Sequence, residues 1–137
     1  MKDRIIAIIP ARGGSKGLKD KNIKIINGKP LIYWSIKAAK ESKLIDNCYV
    51  STDSKKIKKI SQKYNCKVID RPKNIARDNS KTIDVLKHAA KKINATKIVL
   101  LQPTSPSRPK NLVDKCLKVY LKSKKKSLAT GRNLNIF

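Results

Sequence analysis

The residues best suited to chemistry in this sequence are concentrated in Pro10-Ala11-Arg12-Gly13-Gly14-Ser15-Lys16-Gly17-Leu18-Lys19-Asp20-Lys21-Asn22. Gly13, Gly14 and Gly17 free the backbone to curl closely around a ligand, and the N–H groups such a curl exposes form a nest for anions. Arg12, Lys16 and Lys21 add charge of the sign a polyphosphate requires. A flexible basic loop is the bland alternative. Glycines, cations and a strand end falling in one short window favour phosphate binding over it. Two familiar phosphate motifs are excluded, because neither GxxxxGK followed by Ser or Thr nor GxGxxG is present, and no helix is expected directly after the glycines. A long connection at this point suits a loop that wraps its ligand.

The elements that must position this loop follow from the hydrophobic pattern. Short β-branched runs at Ile5–Ile9, Cys48–Ser51, Lys67–Ile69 and Ile98–Leu101 predict strands buried on both faces, and Ser127–Thr130 predicts a weaker fifth. Helical spacing lies between them. Leu31, Trp34 and Ala38 form one stripe, supported by Ile32, Ile36 and Ala39; Ile57, Ile60, Ser61 and Tyr64 form a second. Ile83, Leu86, Ala90 and Ile93 form a third, and Leu112, Val113, Cys116, Leu117 and Tyr120 a fourth. Asp53 or Ser54, then Asn79 or Ser80, are natural helix N-caps. The order β-α-β-α-β-α-β-α-β predicts an α/β fold: a three-layer α/β/α unit with a mainly parallel, Rossmann-like sheet and the first strand central. Ligands of such sheets bind beyond the carboxyl ends of the strands, where the glycine loop begins.

At 137 residues the chain suits a single domain, residues 1–137, and can bury about two-thirds of its unfolded surface without disulfides or a structural metal. Ile5 to Ile9 is the longest apolar run, far too short to cross a bilayer, and Met1 to Arg4 does not lead into a secretory signal. A cytoplasmic protein with no membrane partner is expected. The net charge of +25, from 34 Lys plus Arg against 9 Asp plus Glu, attracts any polyanion. Yet the cations are mostly lysines scattered along the whole chain, and aromatics are few. Nucleic acid is therefore expected as a non-specific partner, through charge alone. Cys48, Cys66 and Cys116 form no CxxC pair and predict reduced thiols, neither a zinc site nor a disulfide framework. His88 stands alone in a helical stretch and reads as a surface or boundary residue.

IPARGGSKGLKDKNI and the GKPLIYWSIKAA that follows closely resemble the start of the N-acylneuraminate cytidylyltransferases, the CMP-sialic acid synthetases. STDS, RPKNIARDNSKT and LLQPTSPSR continue the resemblance in order and spacing, so that it covers residues 4 to about 130. Family members are longer, and the chain resembles their N-terminal portion. The resemblance implies a truncated nucleotide-diphospho-sugar transferase fold. It also implies transfer of CMP from CTP to a nonulosonic acid with release of pyrophosphate and with Mg²⁺. Arg12 and Lys21 are implied as catalytic cations on the CTP phosphates. Ala11, Arg12, Gly13, Gly14, Ser15, Lys16 and Asn22 are implied in nucleotide binding. Arg71 is implied near the cytosine, with Ser80 and Thr82 completing the base and ribose environment, and Gln102 is implied to face the sugar acceptor.

Each has a plainer reading. Arg71-Pro72 suits an ordinary turn, Ser80 a helix cap, and Gln102-Pro103 a strand end, with Thr104, Ser105 and Ser107 capping the next helix. Asp53 is assigned to capping ahead of catalysis. The family's metal-holding aspartates belong to its C-terminal part, and no acid follows Asp114 here, so no metal ligand is assigned and stand-alone turnover is not expected. A homodimer is an open expectation, since a sheet ending at its fifth strand exposes an edge. A basic nucleic-acid-binding module and a non-catalytic nucleotide-binding fragment are the alternatives.

Overall fold

The computed structural model describes residues 2–14 and 20–130. Four strands, β1 (Ile5–Pro10), β4 (Asn47–Thr52), β5 (Lys67–Asp70) and β6 (Lys97–Leu100), form one sheet in the order β5-β4-β1-β6, and every pairing is parallel. β1 is an interior strand, as its unbroken apolar run demands. Its side chains alternate between two cores. Ala7 and Ile9 pack with Ile32, Ile36 and Ala39 of α1 (Leu31–Glu41) and Ile57 of α2 (Lys55–Lys63). Ile6 and Ile8 face the other way, against Ala89 and Leu86 of α3 (Thr82–Lys92). Helices thus cover both faces of a parallel sheet, which is what burying every β1 side chain requires.

Several details depart from the sequence pattern. Ser127–Thr130 forms no strand. It borders a groove beside β6 and α4 (Leu112–Ser123), and its one large apolar residue, Leu128, is 40% exposed, too little to cover a strand. On α1 the expected Leu31, Ile32, Ile36 and Ala39 are buried, but Ser35 joins them while Trp34 and Ala38 are only half-buried. On α3 the buried positions are Val85 and Ala89, one helical turn apart, and Ile83 is 53% exposed. Ser54 caps α2, its Oγ accepting from the Ile57 N–H at 3.2 Å. Asp53 does not cap. Asn79 and Ser80 leave α3 uncapped by a side chain, and α4 starts only after Asn111, well beyond Thr104, Ser105 and Ser107.

One element passes unnoticed in the periodicity. β2 (Ile25–Ile26) and β3 (Lys29–Pro30) form a small antiparallel hairpin just before α1. Asn27 at φ 50° and Gly28 at φ 81° make its turn, the left-handed pair a two-residue hairpin prefers. The Trp34 indole N–H donates to the Ile26 carbonyl at 3.0 Å and ties the hairpin to α1.

Candidate functional site

The chain leaves β1 for β4 on one side and later places β6 on the other, so the sheet reverses direction beside β1. Such a switch point opens a crevice at the carboxyl ends of the strands. A cavity of about 210 Å³ lies there, bordered by Pro10 and Arg12 after β1, by Arg71 to Thr82 between β5 and α3, and by Gln102 to Thr104 after β6.

Arg12 owes its place to the residues on either side of it. The Ala11 N–H donates to the Ser51 carbonyl at 2.9 Å, prolonging the β1–β4 ladder, and its methyl group is fully buried in the core. Ala11 thus positions the loop and offers the cavity no side chain. Gly13 then passes so close to α2 that a Cβ would lie 2.8 Å from the Ser54 Cβ. Its N–H, expected among the phosphate donors, is instead held by Asp53 Oδ1 at 2.8 Å. Among the described residues only the end of Arg12, at 4.0 Å, comes near a Cβ at Gly14, and Ser15 and Lys16 lie outside the described residues. Asn22 is buried, its Nδ2 donating to the Arg12 carbonyl at 3.2 Å, which folds the far end of the loop back onto its start.

Arg71 is no ordinary surface cation. Its Nε donates to Ser51 Oγ at 3.2 Å and its Nη2 to the Ser51 carbonyl at 3.0 Å, and the side chain is buried. Burial first, and the nearby Arg12 charge second, pull its pKa below that of a free guanidinium, while Asp53 opposes them. Ser80 Oγ accepts from the Arg77 N–H at 2.8 Å, closing a turn ahead of α3. Gln102 is held through its carbonyl, which accepts from Ser35 Oγ at 3.1 Å and from Arg108 Nη2 at 2.8 Å. This explains a serine on the buried face of α1.

Arg12, Lys21, Asn22, Arg71, Ser80, Thr82 and Gln102, drawn from three separate stretches of sequence, therefore border one cavity. Sequence reasoning passed over Arg77, Asp78 and Thr104, which border it too. Arg77 and Asp78 stand inside the RPKNIARDNSKT segment, but no spacing rule brings residue 78 to residue 12. In the structure Asp78 Oδ1 lies 2.7 Å from Arg12 Nη2. Asp53 was assigned to a cap and instead braces the loop, accepting from Gly13 and from Lys73 Nζ at 3.0 Å. Burial would raise the Asp53 carboxyl, but those two donors outweigh it and hold it below the ordinary range.

Four cations and one carboxylate around a polar cavity make a site for a polyanion. Among the described residues no three His, Cys, Asp or Glu side chains converge, and the single carboxylate of the cavity is engaged by Arg12. These residues do not fit a carboxylate-held Mg²⁺. Away from the cavity, the sulfurs of Cys48 on β4 and of Cys66, just before β5, lie 3.6 Å apart, closer than their sequence separation suggests. Their mutual hydrogen bond and burial hold the Cys48 thiol protonated, well above its ordinary value. No helix among the described residues is long and apolar enough to cross a membrane.

The chain is similar to several known proteins. An N-acylneuraminate cytidylyltransferase of Escherichia coli is 38% identical over 121 residues, covering 88% of this chain and 29% of the relative. A CMP-N,N'-diacetyllegionaminic acid synthase of Legionella pneumophila is 38% identical over 85% of this chain and 53% of the relative. Among solved structures, a CMP:2-keto-3-deoxy-manno-octonic acid synthetase complexed with CTP superposes with a TM-score of 0.77 at 25% identity, over 88% of this chain and 48% of that one. A cytidylyltransferase from Leptospira borgpetersenii superposes at 0.75 and 23% identity and supports the fold. The chain thus spans between about a quarter and about half the length of these relatives. The family model described as "Cytidylyltransferase" matches residues 6–134, nearly the whole sequence, and the chain belongs to that family.

Proposed function

We propose that this chain binds CTP in the switch-point cavity and serves the transfer of CMP to a nonulosonic acid with release of pyrophosphate. The observation that carries the reading is the convergence of Arg12, Lys21, Arg71 and Arg77 with Asn22, Ser80, Thr82 and Gln102 on one cavity. Arg12 and Lys21 are the cations for the triphosphate. Arg71, fixed by Ser51, forms a rigid wall on the base side with Ser80 and Thr82, and Gln102 stands where an acceptor would enter from the β6 side. In the reaction the acceptor hydroxyl oxygen bonds to the α-phosphorus, the bond from that phosphorus to the β-phosphate oxygen breaks, and the proton leaves with solvent. Negative charge grows on the leaving pyrophosphate, and fixed cations at that place are the largest contribution a protein can make. The reading assigns Mg²⁺ to the family reaction, but the described residues present no carboxylate set for it, so no step is derived through it. A cytoplasmic setting and a homodimer belong to the same proposal.

Calorimetry with CTP and ATP tests it. CTP is expected to bind preferentially, and Arg12→Ala to weaken CTP by about tenfold or more, the loss of one charge-assisted contact. Equal binding of CTP and ATP, or unchanged CTP binding in Arg12→Ala, overturns the reading. Pyrophosphate release from CTP in the presence of several nonulosonic acids measures turnover and identifies the acceptor.

A further inference from the structure

Among the described residues Asp78 is the one carboxylate on the wall of a cavity whose other charged side chains are all cations. Its carboxylate lies 2.7 Å from Arg12 Nη2, and its side chain is 53% exposed against 25% for Arg12. The contrast with Asp53 is informative. Asp53 is held by a backbone N–H and by Lys73, and only 9% of its side chain is exposed, so it is part of the framework. Among the described residues Arg12 is the only ion-pair partner of Asp78, which sits in a turn between β5 and α3 outside any helix or strand.

A carboxylate and a phosphate oxygen compete for the same guanidinium donors, since both are anionic acceptors with matching fork geometry. A carboxylate left inside the cavity also repels an arriving polyphosphate. We propose that Asp78 is a resident counter-anion of Arg12, displaced when a polyphosphate enters, and that it thereby sets the affinity of the site. An exposed ion pair is weak enough to open readily, and holding Arg12 toward the cavity keeps its side chain near the position the ligand needs. The inference rests on the cavity being the polyphosphate site, and its test separates the two ideas.

The experiment measures binding of inorganic tripolyphosphate, and in parallel of CTP, to wild type, Asp78→Asn, Asp78→Glu, Arg12→Ala and the Arg12→Ala, Asp78→Asn double variant at low salt. Asp78→Asn is expected to tighten tripolyphosphate by about fivefold, the worth of an exposed ion pair. Asp78→Glu keeps wild-type affinity, and the gain from Asp78→Asn is lost in the Arg12→Ala background, as a coupled pair requires. Unchanged or weaker binding in Asp78→Asn makes Asp78 a brace for Arg12 and overturns the proposal. A gain that persists undiminished without Arg12 reports only net charge and overturns it equally. Tightening of tripolyphosphate without any preference of wild type for CTP keeps the counter-anion and rejects the cytidine reading. A clear CTP preference with no tightening does the reverse.

Discussion

Gly13 is required by its neighbours rather than by a ligand. Its α-carbon meets the start of α2 at a distance that leaves no room for a methyl group, and the obstructing atom is the Ser54 Cβ, which cannot swing aside. Gly13→Ala is expected to cost about 1–3 kcal/mol through overpacking. Gly14→Ala, which among the described residues meets only the flexible end of Arg12 at 4.0 Å, should stay within about 0.5 kcal/mol of wild type. Urea unfolding of the two variants checks this, and equal losses would show that loop freedom, not crowding, is what matters. Asp53, the partner of Gly13, gives a pH dependence. Its carboxyl is held low in the folded state by the Gly13 N–H and Lys73 against the opposing effect of burial, so folding favours the charged form. That contribution is complete above the unfolded carboxyl value of about 4 and is lost as pH falls through the lower folded one. Urea midpoints followed from about pH 6 downward should fall less steeply for Asp53→Asn than for wild type. Asp114, held low by Ser42 and the Lys43 and Leu44 N–H groups against its own burial, keeps part of the acid loss in both proteins.

At the scale of elements, the ends of helices and strands decide the site. Ser54 at the start of α2 accepts from Ile57, while the residue before it holds Gly13, so one turn both caps a helix and anchors the loop. Ser54→Ala is expected to lower stability by about 1 kcal/mol, the usual worth of such a cap, and to leave Asp53 on Gly13. A loss of nucleotide affinity far larger than the stability change, read by denaturation and calorimetry together, would mean that the cap and the loop are inseparable. α1 serves the site through Ser35, which receives Arg108 Nη1 at 3.2 Å and donates to the Gln102 carbonyl, linking the residue after β6 to the helix that follows the hairpin. α4 is docked by Asp114 at its first turn, which accepts from Ser42 Oγ and from the Lys43 N–H at 2.9 Å.

For the whole molecule, the excess of positive charge and the cavity make different demands on salt. A charge of +25 spread over the surface attracts nucleic acid through counterion release, and binding of a single-stranded oligonucleotide should fall by orders of magnitude between about 50 and 200 mM salt. On the proposed reading, preference for CTP over ATP rests on the donors placed on the base side and should persist over the same range. Filter binding of the oligonucleotide beside calorimetry of the two nucleotides distinguishes them. Oligonucleotide binding that survives high salt would point to a dedicated nucleic-acid surface.

The local pattern of the sequence was enough for the parallel sheet and the interior place of β1. Both depend on neighbours within a few residues, because an unbroken β-branched run needs cover on both faces. The Asn27-Gly28 hairpin was missed by the periodicity, although its turn is written in two adjacent residues. The burial of Ser35 on α1 and the buried face of α3 were not legible, since Ser35 is held by hydrogen bonds to Gln102 and Arg108, and α3 buries Val85 and Ala89 and leaves Ile83 exposed. Nor were the pairings Arg12–Asp78 and Asp53–Gly13, or the approach of Cys48 to Cys66. These join residues far apart in sequence, and local periodicity carries no information about which strand ends are neighbours. The strand order β5-β4-β1-β6 decides that, and with it which side chains share a cavity.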